Sequence, residues 1–348
     1  GFCEKEKPMK KLNVFRLGLL FAGCFLGAGY VSGQELCEQF GVSRTAVWKA
    51  IGQLKKEGYV IEAVQNRGYR LLDQTEEVYN QADIQSRLKT KWVAHPLQFF
   101  DSIDSTNIRA KLEAEQGAES GLLVVSDMQS AGRGRRGRGW ESPAGTNIYY
   151  TLMLKPDFSS DCAPMLTLVM ALAVAKGIRQ TLRRDSEEAA AKVGIKWPND
   201  IVVDGKKVCG ILCESKIQGG KVSAVCGMGI NLCQDEDFFI QNNLPHATSL
   251  LAFDGQRRTA QEAAVLLLEE LEPILEQYRQ EGFSPFAASY CDRCVTLGRQ
   301  VRVIRGQQEV TAQAISIAPD GGLICQKAGE NFVIRAGEAS VRGLYGYV

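Results

Sequence analysis

Histidine is nearly absent from this chain: there are two in 348 residues, His95 and His246. A Ser-His-Asp triad or a metal site with two histidine ligands has almost nothing to be built from. Net charge is also nearly absent, with Lys+Arg 41 against Asp+Glu 40, so the whole chain is no polycation. No GxxxxGK[ST] phosphate loop occurs, which excludes that route to ATP binding. The one CxxC, Cys291 and Cys294, has no second CxxC or histidine pair near it, so a structural zinc is not expected. Eleven cysteines, odd in number and scattered, read as reduced thiols. Cys209 and Cys213, inside VVDGKKVCGILCES, read as small core residues.

What is present is an ordinary globular composition, 45% hydrophobic and 23% charged, in a length that suggests two or three domains. Charge is divided unevenly. Residues 1–74 carry 11 Lys/Arg and 7 Asp/Glu, net +4, and the remainder 30 against 33, net −3. A basic head on a slightly acidic body hints at a nucleic-acid module. Residues 17–31, LGLLFAGCFLGAGYV, follow Lys10, Lys11 and Arg16 and imitate a signal peptide. That run is shorter than the roughly 20 residues of a spanning helix. A first helix packed on the following domain, with no membrane and a cytoplasmic location, is the expected reading. Residues 1–8 look like an extension, since Met9-Lys-Lys reads as a start.

Residues 32–72 form a DNA-reading pattern. Ser32 caps a short helix, Gln34 to Phe40, ended by Gly41, and Ser43 caps the next. In that second helix Val47, Ile51 and Leu54 recur at helical spacing as a buried stripe. Ser43, Arg44, Thr45, Trp48 and Lys49 occupy the cap and the opposite face, where DNA contact is expected. Strands at Tyr59–Val64 and Tyr69–Leu72 flank the turn Gln65-Asn-Arg-Gly68, a wing whose tip carries Arg67. An adaptor that binds protein instead of DNA is the bland alternative. The polar, acidic stretch Gln74–Asp83 reads as a linker.

The body centres on 121–154, GLLVVSDMQSAGRGRRGRGWESPAGTNIYYTLML. Gly132-x-Gly134-x-x-Gly137 matches the dinucleotide fingerprint by letter, but that fingerprint needs a helix opening directly after it. Gly139, Ser142-Pro143 and Gly145 follow instead, so a Rossmann site is rejected. Four arginines on a glycine-rich loop suit carboxylate or phosphate, because guanidinium forks bind both oxygens and glycine lets backbone N–H groups approach. Their mutual repulsion predicts a loop that stays mobile until a polyanion orders it. Lys196-Trp-Pro-Asn-Asp200 puts a cation at a strand end, and Cys226-Gly-Met-Gly-Ile-Asn-Leu232 puts two glycines in an apolar strand where a ligand or another backbone comes close. Asp104-Ser-Thr-Asn107 is a helix N-cap cluster able to hold a ligand's polar head.

DSTN at 104–107, QSAGRGRRGR at 129–138, KWPNDI at 196–201, KVCGIL at 207–212 and GINL at 229–232 stand in the order found in biotin–protein ligases. With the winged helix ahead of them, residues 31–348 resemble the bifunctional biotin–protein ligases that are also biotin operon repressors. The resemblance implies biotin contacts from Ser105, Thr106, Asn107 and Gln129, and from Arg133, Gly134, Arg135 and Lys196. It implies nucleotide contacts from Arg136, Arg138, Lys207 and Asn231, with Arg135 and Lys196 as the catalytic pair. Biotin and ATP would be substrates, with Mg²⁺ arriving on ATP and no resident metal. The partners would be a biotin carboxyl carrier protein domain, operator DNA and a second copy of the chain once the adenylate is bound. One departure is the acidic DSEEAAAK insert before KWPND, expected to lengthen a surface loop. A second is the uncharged segment before residue 31.

Residues 259–280 read as a long amphipathic helix. Alternation at Val301 and Val303, at Val310, Ala312 and Ala314, then at Leu323, Phe332 and Ile334, reads as a small all-β domain, SH3-like by the resemblance. The expected fold class is therefore α/β (α+β). It has an N-terminal extension and first helix at 1–30, a winged helix-turn-helix at 31–74, a mixed-sheet biotin and ATP ligase domain at 80–285, and an SH3-like β-barrel at 293–348. A ligand-sensing regulator without catalysis, a lipoate-type ligase and a ligase with a vestigial head are the alternatives.

Overall fold

Ser32 does cap a helix. In the computed structural model, which describes residues 30–56, 61–64, 67–71, 79–155, 163–218, 221–344 and 346–347, its hydroxyl accepts from Glu35 N while Glu35 returns a carboxylate to Ser32 N. The expected first helix and residues 1–29 lie outside these described residues, as do Gln65 and Asn66 of the wing turn. The chain divides into two compact units, residues 1–88 and 89–348.

The first unit holds α1 (Gly33–Phe40), α2 (Arg44–Lys56), β1 (Ile61–Val64), β2 (Gly68–Leu71) and α3 (Gln81–Arg87). Gly41 ends α1 in the left-handed region at φ 64°, and Ser43 Oγ accepts from Ala46 N at the start of α2. Leu36, Val47, Ala50, Ile51, Leu54 and Ile61 close a small core. Strands β1 and β2 pair antiparallel, and Val31 exchanges two backbone hydrogen bonds with Tyr69. Residues 81–83 were expected to belong to a linker. They instead open α3, because Asn80 Oδ1 caps Asp83 N at 2.8 Å.

In the second unit a seven-stranded mixed sheet carries everything else. Its elements are β3 (Leu97–Ile103), α4 (Thr106–Glu115), β4 (Leu123–Gln129), β5 (Asn147–Leu154), α5 (Ala163–Arg183), α6 (Glu187–Ala191), β6 (Val193–Lys196), β7 (Asp200–Val203), β8 (Lys206–Gln218) and β9 (Lys221–Asn231). The strand order is β3-β4-β5-β9-β8-β7-β6, parallel only at β3–β4. Every residue of β5 is buried, as its unbroken apolar run requires of a central strand. α4 lays Ala110 on Leu122, Val124, Met153 and Val225. α5 lies against β6 to β9. Its stretch Met165–Arg183 is long and apolar enough to cross a membrane by length and composition, yet 72% of it is buried in this unit. The acidic insert is not a surface loop. Ser186 Oγ caps Ala189 N, and two of the three alanines of α6, Ala189 and Ala190, are buried, so the segment folds as a helix.

After β9 come α7 (Glu236–Gln241), α8 (Leu250–Asp254), α9 (Ala260–Glu281) and α10 (Ala287–Cys291). Thr259 caps α9, the long helix expected there, which packs on α5. The chain then pairs beside β6, with Ile195 N donating to Arg293 O at 2.7 Å and Val295 N to Ile195 O at 2.9 Å. The last elements are β10 (Gln300–Arg305), β11 (Gln308–Ile317), β12 (Leu323–Lys327), β13 (Glu330–Ile334) and β14 (Ser340–Gly343). They form an antiparallel sheet in the order β13-β12-β11-β10-β14. Val301, Val303, Ala312, Ala314, Leu323 and Ile334 are buried. Cys291 and Cys294 are free thiols, and no group of three His, Cys, Asp or Glu able to hold a metal occurs among the described residues.

One carboxylate joins α9 to the start of this unit. Glu272 accepts from the backbone N–H groups of Lys91, Trp92 and Val93 at 2.8–2.9 Å. Burial alone would raise its pKa, but these three donors outweigh burial and hold it below the usual value. A depressed native pKa gives stability that is present above the unfolded value and lost as pH falls through the native one. Glu272→Ala should therefore cost about 1–3 kcal/mol at neutral pH by stranding three donors. In thermal melts the gap between variant and parent should narrow in acid, and a gap independent of pH would contradict this role.

Candidate active site

The site is built on glycines. Thr151 of β5, Gly227 of β9 and Leu212 of β8 stand in one row across the sheet, and Tyr149, Gly229 and Gly210 in another. A Cβ on Gly227 would meet Asn107 Oδ1 at 1.9 Å, and one on Gly229 would meet Trp140 Nε1 at 2.6 Å. Two side chains from outside the sheet thus lie directly on its backbone, which is what the two glycines of CGMGINL allow.

α4 delivers its first residues into this floor. Thr106 N and Oγ1 both donate to Gln129 Oε1, and Gln129 Nε2 donates to Ser142 Oγ. Asn107 accepts from Thr151 Oγ1 at 2.7 Å and donates to Leu212 O and to Glu214. Ser105 stands at the N-cap position, but its hydroxyl makes no capping bond. That buried Oγ has no hydrogen-bond partner among the described residues, and Trp140 Nε1 is in the same condition. A buried polar atom left without a partner is costly in the empty protein and marks where a ligand's polar atom would sit.

The arginine loop does not open a helix, in keeping with rejection of the dinucleotide reading. It folds back on itself: Gly134 N donates to Arg138 O at 2.8 Å and Trp140 N to Gly132 O at 2.9 Å. The expectation of unpartnered, mobile arginines is corrected in part, because two of them are tied down. Arg135 Nη1 donates to Asn199 Oδ1 at 2.5 Å and Arg136 Nη1 to Ser340 Oγ at 2.8 Å. Arg133 and Arg138 are exposed, the first lining the inner and the second the outer of two cavities beside the loop.

Two adjoining cavities result. The inner one, about 440 Å³, is lined by Ser105, Thr106, Asn107 and Gln129, with Arg133, Gly134 and Arg135 at its mouth. The outer one, about 1370 Å³, carries Arg136, Arg138, Lys196, Lys207, Arg302 and Arg342, with Asp200 as a lone carboxylate on its wall. Arg135, Trp140, Asn199 and Lys207 line both. Of the eight residues expected to meet biotin, Lys196 alone lines only the outer cavity, while Gly134 and Arg135 line both and the other five line the inner one. Asn231 lines neither: it pairs with Asn147 across the sheet and donates to Thr248 O.

Lys196 is buried, at 7% exposure, and burial pushes its ammonium down to about 8 against the attraction of Asp200. The ring of Tyr347 lies 3.4 Å from its Nζ. Asp200 holds Lys207 Nζ at 2.7 Å and Tyr347 Oη at 2.5 Å. Burial works against the Asp200 carboxylate, but Lys207 and Tyr347 win and keep it below its usual value. Sequence reasoning missed Trp140, Asn199, Asp200 as a clamp, and Tyr347. Trp140 directly follows the arginine loop and Asn199 and Asp200 lie within KWPND, so their positions were signalled. Nothing marked Tyr347.

In the first unit, Ser43, Arg44, Thr45, Trp48, Lys49 and Arg67 are all exposed, Trp48 at 68%. An indole that open, on the helix opposite the Val47–Ile51–Leu54 stripe, packs on nothing in this unit's core.

Comparison with known proteins agrees with this geometry. Residues 99–231 match the Biotin/lipoate A/B protein ligase family, residues 25–70 an HTH domain, and residues 296–342 the biotin protein ligase C terminal domain. The Bifunctional ligase/repressor BirA of Bacillus subtilis (strain 168) is 35% identical over 301 residues, 86% of this chain and 90% of that protein. Its namesake from Escherichia coli (strain K12) is 31% identical over 315 residues, 89% and 92% of the two. The solved biotin protein ligase from Aquifex aeolicus in complex with biotin and ATP has a TM-score of 0.59 and 27% identity, covering 71% of this chain and 98% of that one.

Lys196 should titrate near 8 instead of the ordinary 10.5. The unfolded chain then holds the proton more tightly, so this residue makes stability rise with pH between those two values. The ¹³Cε shift of the labelled lysine, assigned by its loss in Lys196→Met, reads the titration directly. A resonance that titrates with the bulk lysines would show that the ammonium is fully hydrated.

Proposed function

The chain belongs to the family of bifunctional biotin–protein ligases and repressors, and we propose that its two adjoining cavities take biotin inside and ATP outside, with the reacting atoms meeting where they join. It is a biotin–[acetyl-CoA-carboxylase] ligase with biotin and ATP as substrates, and its head makes it a DNA-binding repressor. The observation that carries the reading is the pair of cavities sharing Arg135 and Lys207, the outer walled by seven cations and one carboxylate already in use.

In the first step a carboxylate oxygen of biotin attacks the α-phosphorus of ATP. The bond to the β-phosphate oxygen breaks, and pyrophosphate leaves with the electron pair. Both reactants are anions, so their approach must be neutralised by fixed positive charge. Arg135, lining both cavities and held by Asn199, is placed to bridge the carboxylate and the α-phosphate. Lys196 and Lys207 face the phosphates from the opposite wall, with Arg136 and Arg138 closing the loop side. Ser105, Thr106, Asn107 and Gln129 hold the polar head of biotin. Mg²⁺ would arrive with ATP and would screen the phosphate charge, while Asp200 is committed to Lys207 and Tyr347. In the second step the ε-amine of a lysine on a biotin carboxyl carrier domain attacks the anhydride carbonyl. AMP leaves, and the amine loses its proton. No enzyme nucleophile is needed, and the main demand on the site is to keep water from the anhydride.

Repression links to the same intermediate. The exposed face of α2 and the Arg67-tipped wing read operator DNA. An adenylate under the 132–138 loop fixes Arg133 and Arg138 and completes a surface on which two copies dimerise. Two linked heads gain from effective concentration on two half-sites. The ligand shifts dimerisation only by as much as it binds the dimer better. Acceptor protein, by consuming the adenylate, relieves repression.

Arg135→Ala should lose biotin-dependent pyrophosphate–ATP exchange while its melting curve stays near that of the parent. One charge-assisted contact is worth roughly 1.5–3 kcal/mol, about ten- to hundredfold in rate. Undiminished exchange in the variant would remove Arg135 from the chemistry. An absence of exchange in the parent chain, with biotin still bound, would favour a sensor that no longer catalyses.

Biotin plus ATP should tighten binding to the chain's own upstream DNA at fixed salt, by a coupling of about 1–3 kcal/mol or roughly five- to hundredfold. Equal affinity in both conditions would mean that the head does not read the ligand state.

A further inference from the structure

A buried ammonium is usually kept by a carboxylate. Lys196 is kept by a ring: Tyr347 lies 3.4 Å from Nζ, while Asp200 gives one oxygen to Lys207 Nζ at 2.7 Å and the other to Tyr347 Oη at 2.5 Å. We propose that Tyr347 is a positioning residue for the ligation reaction, its hydroxyl tethered to Asp200 and its ring aiming Lys196 into the outer cavity without neutralising it. The inference rests on the reading of Lys196 as a cation that meets the substrate anion.

The physical difference between the two kinds of partner decides the matter. A carboxylate in contact would hold the ammonium firmly, but an incoming phosphate or adenylate would have to break that ion pair first. An aromatic face attracts a desolvated cation through its quadrupole and leaves the full charge for a third group. The ring itself is fixed from three sides. Its hydroxyl is anchored on Asp200, the imidazole of His246 stacks on it at 5.7 Å with 24° between the planes, and Lys196 lies against it. The strand end under Lys196 is fixed as well, because Trp197 N donates to Thr296 Oγ1 and Trp197 Nε1 to Gly321 O. Burial, and then Asp200, drive the Tyr347 hydroxyl far up from its ordinary value, so it remains a donor throughout the working range. The charges around Nζ are Asp200, Lys207, Arg342 and Arg138, and of these Asp200 alone favours the cation. The ring is the second stabiliser.

Tyr347→Leu keeps apolar bulk and desolvation but removes the π face, whereas Tyr347→Phe keeps the face and removes the tether. Biotin-dependent pyrophosphate exchange is measured against pH in the full chain for both, with ATP binding followed by calorimetry. Tyr347→Leu should lower kcat/KM about tenfold, mainly through KM for ATP. It should also move the alkaline limb to lower pH, because the ammonium has lost a stabiliser. Tyr347→Phe should leave that limb in place. In a Lys196→Met background, adding Tyr347→Leu should change ATP affinity by less than a factor of about two, since the coupled partner is gone. The proposal is overturned by an unmoved limb in Tyr347→Leu, by equal defects in the Phe and Leu variants, by a full loss repeated in the Lys196→Met background, or by faster turnover. Wild-type exchange and ATP affinity in Lys196→Met alone would instead sink the reading of Lys196 on which this one stands.

Discussion

Like charges that face one half-buried cavity repel each other, and most of what is specific in this structure answers that constraint. Seven cations line the outer cavity, Arg135 among them. At the spacings within such a wall each pair costs on the order of a few kcal/mol where the effective dielectric is low. The protein does not remove the cost by salting each cation with a carboxylate. It restrains them by groups that leave the charge outstanding: Asn199 for Arg135, a serine hydroxyl for Arg136, and a tyrosine ring for Lys196. Two of the seven do have a carboxylate partner: Lys207 pairs with Asp200, whose other oxygen accepts from Tyr347, and Arg302 lies 3.6 Å from Glu309. The result is a wall with a standing deficit of negative charge, which in the proposed reading a polyphosphate fills.

The restraint is long-range, and that explains the architecture. Asn199 sits in the turn between β6 and β7, where its Nδ2 donates to Ile211 O while Ile211 N donates to Asn199 O. The arginine loop is thereby fixed to β8 through a residue that belongs to neither. Ser340 and Tyr347 come from beyond the mixed sheet, at and after β14. Trp197, between Lys196 and Asn199, is hydrogen-bonded to Thr296 and Gly321. The C-terminal sheet therefore braces the KWPN turn and contributes to the outer wall, so the small β domain is part of the site's mechanics.

How much of this was legible in the sequence follows from the range of the interactions. Signals carried within a few residues were readable: the Ser32 cap, Gly41 at the end of α1, the Val47–Ile51–Leu54 stripe, and the unbroken apolar run of β5. The glycine-rich arginine loop, KWPND and the paired glycines of β9 announced a site because each demands a special backbone or a placed charge. Contacts such as Arg135–Asn199 or Tyr347–Asp200 join distant segments, and no local spacing encodes them. The same blindness separated Lys196 from the inner cavity only after folding. DSEEAAAK misled in the opposite way: its acidic residues looked like a solvated loop, whereas a serine cap and two buried alanines make a helix. A glutamate-rich first turn is what a helix N-terminus favours.

The glycine floor and the cation wall impose complementary demands. Because Gly227 and Gly229 carry no side chains, Asn107 and Trp140 rest on backbone that the sheet ladder holds rigid, so the inner cavity is preorganised and its shape is set before any ligand arrives. The outer wall is held by single hydrogen bonds, two ion pairs and the ring contacts of Tyr347 and Trp140, and its energy depends on whether an anion is present. In the proposed reading, recognition of biotin then uses the rigid half, and the signal that reports the adenylate uses the half whose electrostatic balance changes on binding. A ligand can bias a distant equilibrium only through contacts that differ between the two states. The loop spanning Arg133 to Arg138 borders both cavities and carries three exposed arginines. It is the segment whose charge environment an adenylate alters most, and therefore the natural place for ligation and repression to be coupled.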